Sequence, residues 1–237
     1  MKKKIKYFII LCLFIGFNSA NGQRRKKPQN LARYDFKKLH FGFTLGVNEL
    51  NFNLKKNSNT LTNDTLLSIY SNSQKGFNLG IVSNLRIGRY TDLRFIPTLV
   101  FGERHLLYRF IDSTSNIVEK QKTIESTLID FPIYIKYKSE RYNNFRTYLI
   151  GGVKYSLDIA SQEKINDEGQ EIVKLKKNDL MVEVGFGFDF YLEYFKFSPQ
   201  LKISYGVLNL LSEDSNIYTQ SINSISTNGW MLSFTFE

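Results

Sequence analysis

The chain has 237 residues, with 32 Lys and Arg against 22 Asp and Glu, and it is rich in aromatics, with 20 Phe and 14 Tyr. Its single cysteine, Cys12, lies in an N-terminal leader, so the mature chain holds no disulfide and no Cys-ligated metal. No stretch beyond the leader approaches the ~20 consecutive apolar residues of a transmembrane helix, so any membrane crossing has to be made by strands.

Residues 1–22 read as a cleaved signal peptide. Lys2, Lys3, Lys4 and Lys6 form a basic start, Tyr7 to Phe17 an apolar run, and Ala20-Asn21-Gly22 a small-residue end suited to signal peptidase. The run is too short for a retained helical anchor. Cys12 sits inside it and is not placed to accept a lipid. Cleavage removes four lysines and no acid, which leaves a mature charge of +6 (28 minus 22).

Residues 23–38 form a basic arm. Arg24, Arg25, Lys26, Lys27, Arg33, Lys37 and Lys38 are set against one acid, Asp35. Two readings stay open here. The arm is either a leader attracted to lipid phosphates, at about 1 kcal/mol per basic residue near a surface, or a periplasmic docking arm. In the second reading Leu31, Tyr34 and Phe36 supply apolar contacts among Arg33, Asp35 and Lys38.

From residue 39 onward the pattern is period-two alternation, the mark of strands with one apolar face. Eight segments fall near 39–48, 76–87, 92–104, 123–138, 144–159, 179–191, 195–207 and 229–236. In the first, Leu39, Phe41, Phe43, Leu45 and Val47 share one face, and His40, Gly42, Thr44, Gly46 and Asn48 the other. In the sixth, Val182, Val184, Phe186, Phe188 and Phe190 oppose Glu183, Gly185, Gly187 and Asp189. In the eighth, Trp230, Leu232, Phe234 and Phe236 oppose Met231, Ser233 and Thr235. The connections alternate long, short, long, short, long, short, long. That is the rhythm of bacterial outer-membrane barrels, whose periplasmic turns are short and outer loops long.

Which face looks inward separates a lipocalin-like core from a membrane barrel, and glycine decides it. Gly42, Gly46, Gly80, Gly152, Gly185, Gly187 and Gly206 all lie on the polar face. The interior of an eight-stranded barrel is only just wide enough for side chains, so crowding favours glycine there, whereas on a solvated outer face glycine only weakens a strand. The same face carries His40, Arg86, Arg94, Asp130, Lys136, Arg146, Lys154, Asp158, Glu183, Asp189, Lys196 and Lys202, both signs together, as an internal plug of ion pairs requires. The sequence thus predicts an all-β, eight-stranded antiparallel transmembrane barrel over 39–237, with Phe41, Phe43, Phe186, Phe188, Leu232 and Phe234 facing lipid. Phe77, Tyr137, Phe145, Tyr191, Phe195 and Trp230, near strand ends, suit interfacial girdles. Three prolines, Pro97, Pro132 and Pro199, fall inside segments where they cannot donate a ladder bond; they imply bulges, local breaks, or pairs of short strands read as one.

Catalytic chemistry finds little support. The two histidines are His40, at the periplasmic start of the first strand, and His105, beside Glu103 and Arg104 near the outer rim. Neither accompanies a nucleophile motif, so His105 is expected to be a rim residue and the protein not an enzyme. There is no metal-ligand spacing, phosphate-binding loop or nucleotide fingerprint, and "GFGFDF" at 185–190 is strand alternation. No cofactor, nucleic acid or small-molecule substrate is expected.

The stretch "NLARYDFKKLHFGFTLGVNELNF" (30–52) resembles the start of the PorT (SprT) family of the Bacteroidetes, through Asn30-Leu31, Tyr34-Asp35, Lys38 and His40-Phe41-Gly42-Phe43. "IDFPIYIKYKS" (129–139) and the final strand are similar to that family too, although Glu237 follows the terminal Phe236 where many barrels end on the aromatic. The resemblance implies a small eight-stranded barrel in the cell outer membrane, without catalytic residues. It implies a role in the type IX secretion system, which exports surface and secreted proteins and, in gliding species, motility adhesins. The implied partners are outer-membrane lipid and other secretion-system proteins. The alternative is a free-standing barrel that binds or adheres through its outer loops.

Overall fold

The structure is a computed structural model, and it describes residues 28–56, 66–111, 116–161, 174–212 and 221–237. The expected signal peptide and the first residues of the arm lie outside the described residues, as do parts of the connections at the far end. Nine strands are present among the described residues: β1 (Leu39–Lys56), β2 (Leu66–Arg86), β3 (Thr91–Phe95), β4 (Thr98–Ile111), β5 (Ile117–Lys138), β6 (Phe145–Asp158), β7 (Asn178–Tyr191), β8 (Lys196–Gly206) and β9 (Ile222–Phe236). A 3-10 turn, Tyr34–Phe36, precedes β1.

Every pairing is antiparallel. β1 bonds to β2 on one side and to β9 on the other, and ladders through β8, β7, β6 and β5 close the ring onto β4 and β3 beside β2. Nine strands make eight staves, because β3 and β4 are one stave interrupted at Ile96-Pro97. Ser83 pairs with Phe95 and Gly80 with Thr98 in one register, and the Ile81 amide donates to the Pro97 carbonyl at 3.0 Å across the gap. Proline costs the ladder one donor there and nothing more. The expected break is therefore found at Pro97 only. Pro132 sits within unbroken β5 opposite Lys154, and Pro199 within β8 opposite Phe234, without a change of register.

The alternation sets which way each side chain points. Phe41, Phe43, Phe186 and Phe188 are exposed on the outer wall, and Leu232 and Phe234 lie on it half-buried. The opposite parity faces the lumen, where Thr44, Asn48, Asn84, Ser156 and Gln200 are buried. Glycine fills the crowded points: a Cβ on Gly152 would overlap the carbonyl oxygen of Ile133.

The strands run further than the eight segments expected from sequence. β1 continues to Lys56 and β2 begins at Leu66, so most of the first long connection is strand. Over this extra length the chemistry of the two faces exchanges. Past Val47, Glu49, Asn51, Asn53 and Lys55 point outward while Leu50 and Phe52 are buried inside. In β4, Leu106 and Tyr108 are fully buried inside while Arg109 is exposed outside. The inward residues form an apolar core of Phe52, Ile69, Leu106, Tyr108, Ile222 and Ile225, with Leu175 and Leu210 from the connections. This upper storey is carried by β1, β2, β4, β5 and β9; β5 pairs with β6 only up to Leu128–Asp158. The lower storey has a polar inside and an apolar outside, and the upper one the reverse, as a wall requires where it leaves lipid and enters water.

Candidate functional site

The lumen of the lower storey holds a layered set of buried ion pairs. In the upper layer the Lys154 ammonium lies between Asp130 at 3.0 Å and Glu183 at 2.7 Å. Glu183 also meets Lys202 at 3.5 Å and accepts from Tyr134 Oη and Ser204 Oγ. One layer down, Lys136 bonds both oxygens of Asp189 at 2.8 and 2.9 Å, lies over the Tyr148 ring at 3.6 Å, and shares Asp189 with Ser198 Oγ. Asp130, Glu183 and Asp189 thus each have two or more donors, the condition under which buried pairs offset their desolvation.

The floor of the lumen is made by the arm and by Glu237. Glu237 has the same parity as Ser233 and Thr235, and its fully buried side chain bonds Arg94 and, at 2.8 Å, Lys196. Tyr34 Oη donates to the same carboxylate at 2.9 Å. The Tyr34 ring stacks on His40 with centroids 4.0 Å apart and receives the Lys196 ammonium on its face at 4.6 Å. Asp35 accepts two bonds from the Arg146 guanidinium, at 3.1 and 3.2 Å, and one from Tyr191 Oη at 3.1 Å. Arg86 donates to the Asp35 carbonyl. Further back, Asn30 donates to Asn144 Oδ1 at 2.9 Å and to the Tyr191 carbonyl at 3.0 Å, and Arg141 donates to the Asn30 carbonyl. Burial raises the Asp35 carboxyl, but the Arg146 charge, the Tyr191 bond and Arg141 outweigh it and hold the group below its ordinary value.

The arm residues singled out from sequence therefore divide. Tyr34 and Asp35 are fastened into the barrel mouth, where Glu237, Arg146 and Tyr191 are their partners. Leu31 is half-buried with a φ of 50°, a left-handed conformation that turns the chain across the mouth. Arg33, Phe36 and Lys38 remain exposed, Phe36 at 77%.

His40, Arg86, Arg94, Asp130, Lys136, Arg146, Lys154, Asp158, Glu183, Asp189, Lys196 and Lys202 all sit on the lumen side, Arg86 half-buried at the mouth and the rest buried. Five further lumen charges were not singled out: Asp92, Arg104, Lys138, Asp179 and Glu237. Strand parity would have found each of them. Lys138 pairs with Asp92 at 2.6 Å, and Arg104 bonds Ser126 Oγ under the face of Phe52. Tyr191, expected in an aromatic girdle, is instead buried in the lumen against Tyr34 and Asp35. His105 lies on the outer face of the upper storey, with Glu103 at 3.6 Å and Thr123 Oγ1 at 3.1 Å. Among the described residues no group of three or more His, Cys, Asp or Glu is arranged to hold a metal.

The family comparison agrees with this architecture. Residues 20–212 match the model of the outer membrane protein beta-barrel domain family. No curated protein matches the chain. Among solved structures it is similar to OprG of Pseudomonas aeruginosa, at 12% identity and a TM-score of 0.43, covering 82% of this chain and 93% of that one. It is also similar to the Neisserial surface protein A, at 12% identity and 0.42, covering 84% and 98%. A third, the attachment invasion locus protein Ail of Yersinia pestis, gives 11% and 0.39, covering 84% and 99%. The family match, the closed ladder and the apolar outer wall place the protein in the outer membrane, with the lower storey in contact with lipid. This chain belongs to the outer membrane protein beta-barrel domain family.

Proposed function

We propose that this barrel is a non-enzymatic component of the type IX secretion system, supporting export of surface and secreted proteins and, in gliding species, motility. The observation that carries the reading is the PorT-like stretch 30–52, which spans the arm and the first strand. The structure adds a physical reason for such a pattern to be held as a unit. Tyr34-Asp35 and His40 meet at one point, where the arm folds onto the barrel mouth. Short turns, the arm and Glu237 share that mouth, which supports a periplasmic location for the arm by the rule for such barrels. With Tyr34 and Asp35 engaged, a partner would meet Arg33, Phe36, Lys37 and Lys38.

The paired lumen charges support a structural plug rather than an ion path, and His105, beside Glu103 and Thr123 with no nucleophile motif, supports a non-catalytic role. The test is deletion of the gene followed by analysis of secreted proteins in the culture fluid. Loss of many secreted proteins, restored by the wild-type chain and not by Phe36→Ser with Lys37→Ser and Lys38→Ser, is the expected result. Unchanged secretion in the deletion strain would reject the reading in favour of a barrel that binds or adheres through its outer end.

A further inference from the structure

The place where the wall changes chemistry carries a feature that neither the plug nor the arm uses. On the outer surface of β1, β9 and β8, two adjacent ladder rows lie side by side. The lower row is Glu49–Trp230–Ile203 and the upper row is Asn51–Asn228–Tyr205. These six side chains point outward by strand parity, and they line a shallow notch. Trp230 and Tyr205, 37% and 58% exposed, stand diagonally across it. Between them the Asn228 amide oxygen is shielded from solvent and has no hydrogen-bond partner. A shielded amide oxygen without a donor is a costly arrangement unless something supplies one.

Below the notch the wall is apolar, with Ile203, Leu232 and Val47; above it the wall is polar, with Asn51, Asn53 and Ser226. Its occupant is therefore amphiphilic and lies with its head at the outer interface of the membrane. The chemistry of the lining says which head. Two aromatic faces, two amides and a carboxylate offer stacking surfaces and acceptors for hydroxyl groups, the complement of a sugar ring. They do not suit a phosphate: Glu49 contributes an anion, and the nearest ladder cation, Lys75, lies on the far side of Glu49 from Trp230. Glu49 and Asn51 are held from that far side by Ser73 Oγ and Ser71 Oγ, which fixes them without closing the notch.

We propose that this notch binds the sugar headgroup of a glycolipid in the outer leaflet, with the acyl chains running down the apolar wall past Ile203 and Leu232. Because Trp230 is the single tryptophan of the chain, its fluorescence reports the site alone. The full-length protein would be placed in phosphatidylcholine nanodiscs containing increasing digalactosyl diacylglycerol, with phosphatidylglycerol of the same acyl chains as the control lipid. The expected result is a saturable blue shift for the galactolipid, at least tenfold weaker in Asn228→Ala, and no saturable shift for phosphatidylglycerol. Tyr205→Leu serves as the second variant if Asn228→Ala does not give the heat-modifiable mobility of a folded barrel. Equal responses to the two lipids, or a galactolipid response unaffected by the variants, would mean that Trp230 and Tyr205 are belt aromatics only and would overturn the proposal. A full response to free lactose, without lipid anchorage, would overturn the assignment to a membrane glycolipid.

Discussion

Arginine placed at two outward positions measures where lipid ends. Phe186 lies near the middle of the outward run Leu180 to Phe190 of β7, with Leu149 and Leu201 as its ladder neighbours, and it is 48% exposed. Asn53 also points outward, but from the upper storey, in one ladder row with Ser226. An Arg on the lipid face at the midplane costs about 2–4 kcal/mol, falling to about 0–1 near the interfaces. At about 1.4 kcal/mol per tenfold, Phe186→Arg should lower the folded-to-unfolded ratio roughly 30- to 700-fold. Asn53→Arg, already in water, should change it by less than about tenfold. The assay is urea unfolding in phosphatidylcholine vesicles, followed by heat-modifiable mobility on gels, with Phe186→Leu as the control for lost ring packing. Equal tolerance of both arginines would refute the placement of the lipid band on the lower storey. So would a greater loss from Asn53→Arg.

Other perturbations probe the lumen and its floor. Glu183→Ala leaves Lys202 without its carboxylate and Lys154 with Asp130 alone, and should cost about 3–5 kcal/mol in the same unfolding assay; Glu183→Gln should cost less, because it keeps the Ser204 bond. Gly152→Val should block assembly, because its Cβ would overlap the Ile133 carbonyl, whereas Gly88→Ala should be neutral, with Thr91 Cβ its nearest neighbour at 3.9 Å; outer-membrane yield separates the two. Asp35 is held below its ordinary value in the folded state, so its contribution to docking the arm is present above the unfolded pKa of about 3.9 and is lost as pH falls through the lower folded value. Hydrogen exchange at Tyr34–Lys37 should therefore rise in strongly acidic solution once corrected for intrinsic rate, and Asp35→Asn should abolish that step.

Much of the barrel is legible in the sequence because a strand's side-chain period is two and a membrane wall has two chemically distinct faces. Phe41, Phe43, Phe186 and Phe188, opposed by Gly42, Gly46, Gly185 and Gly187, define the wall and its inside before any pairing is known. The stave count and the end bearing the short turns follow from the spacing of the segments. Parity also contained Asp92, Arg104, Lys138 and Asp179 as lumen charges within the segments themselves, and Glu237 one residue past the last of them. The height at which the wall leaves lipid is in the sequence as well: from Glu49 to Lys55 the alternation continues with its polarity exchanged, which reads as a loop only if a strand's outer face is assumed apolar throughout.

Tertiary structure alone decided which charges meet. Lys154 finds Asp130 and Glu183, and Lys136 finds Asp189, through the stagger of neighbouring staves, which local sequence does not encode. It also decided the fate of the arm. Tyr34 and Asp35 look like a free basic-aromatic motif in the chain, yet Glu237, Arg146 and Tyr191, more than a hundred residues away, draw them into the barrel mouth. The notch at Trp230 belongs to the same class. Its six residues come from three strands whose rows align only once the ring has closed between β1 and β9, and the unmet amide of Asn228 exists only in that alignment.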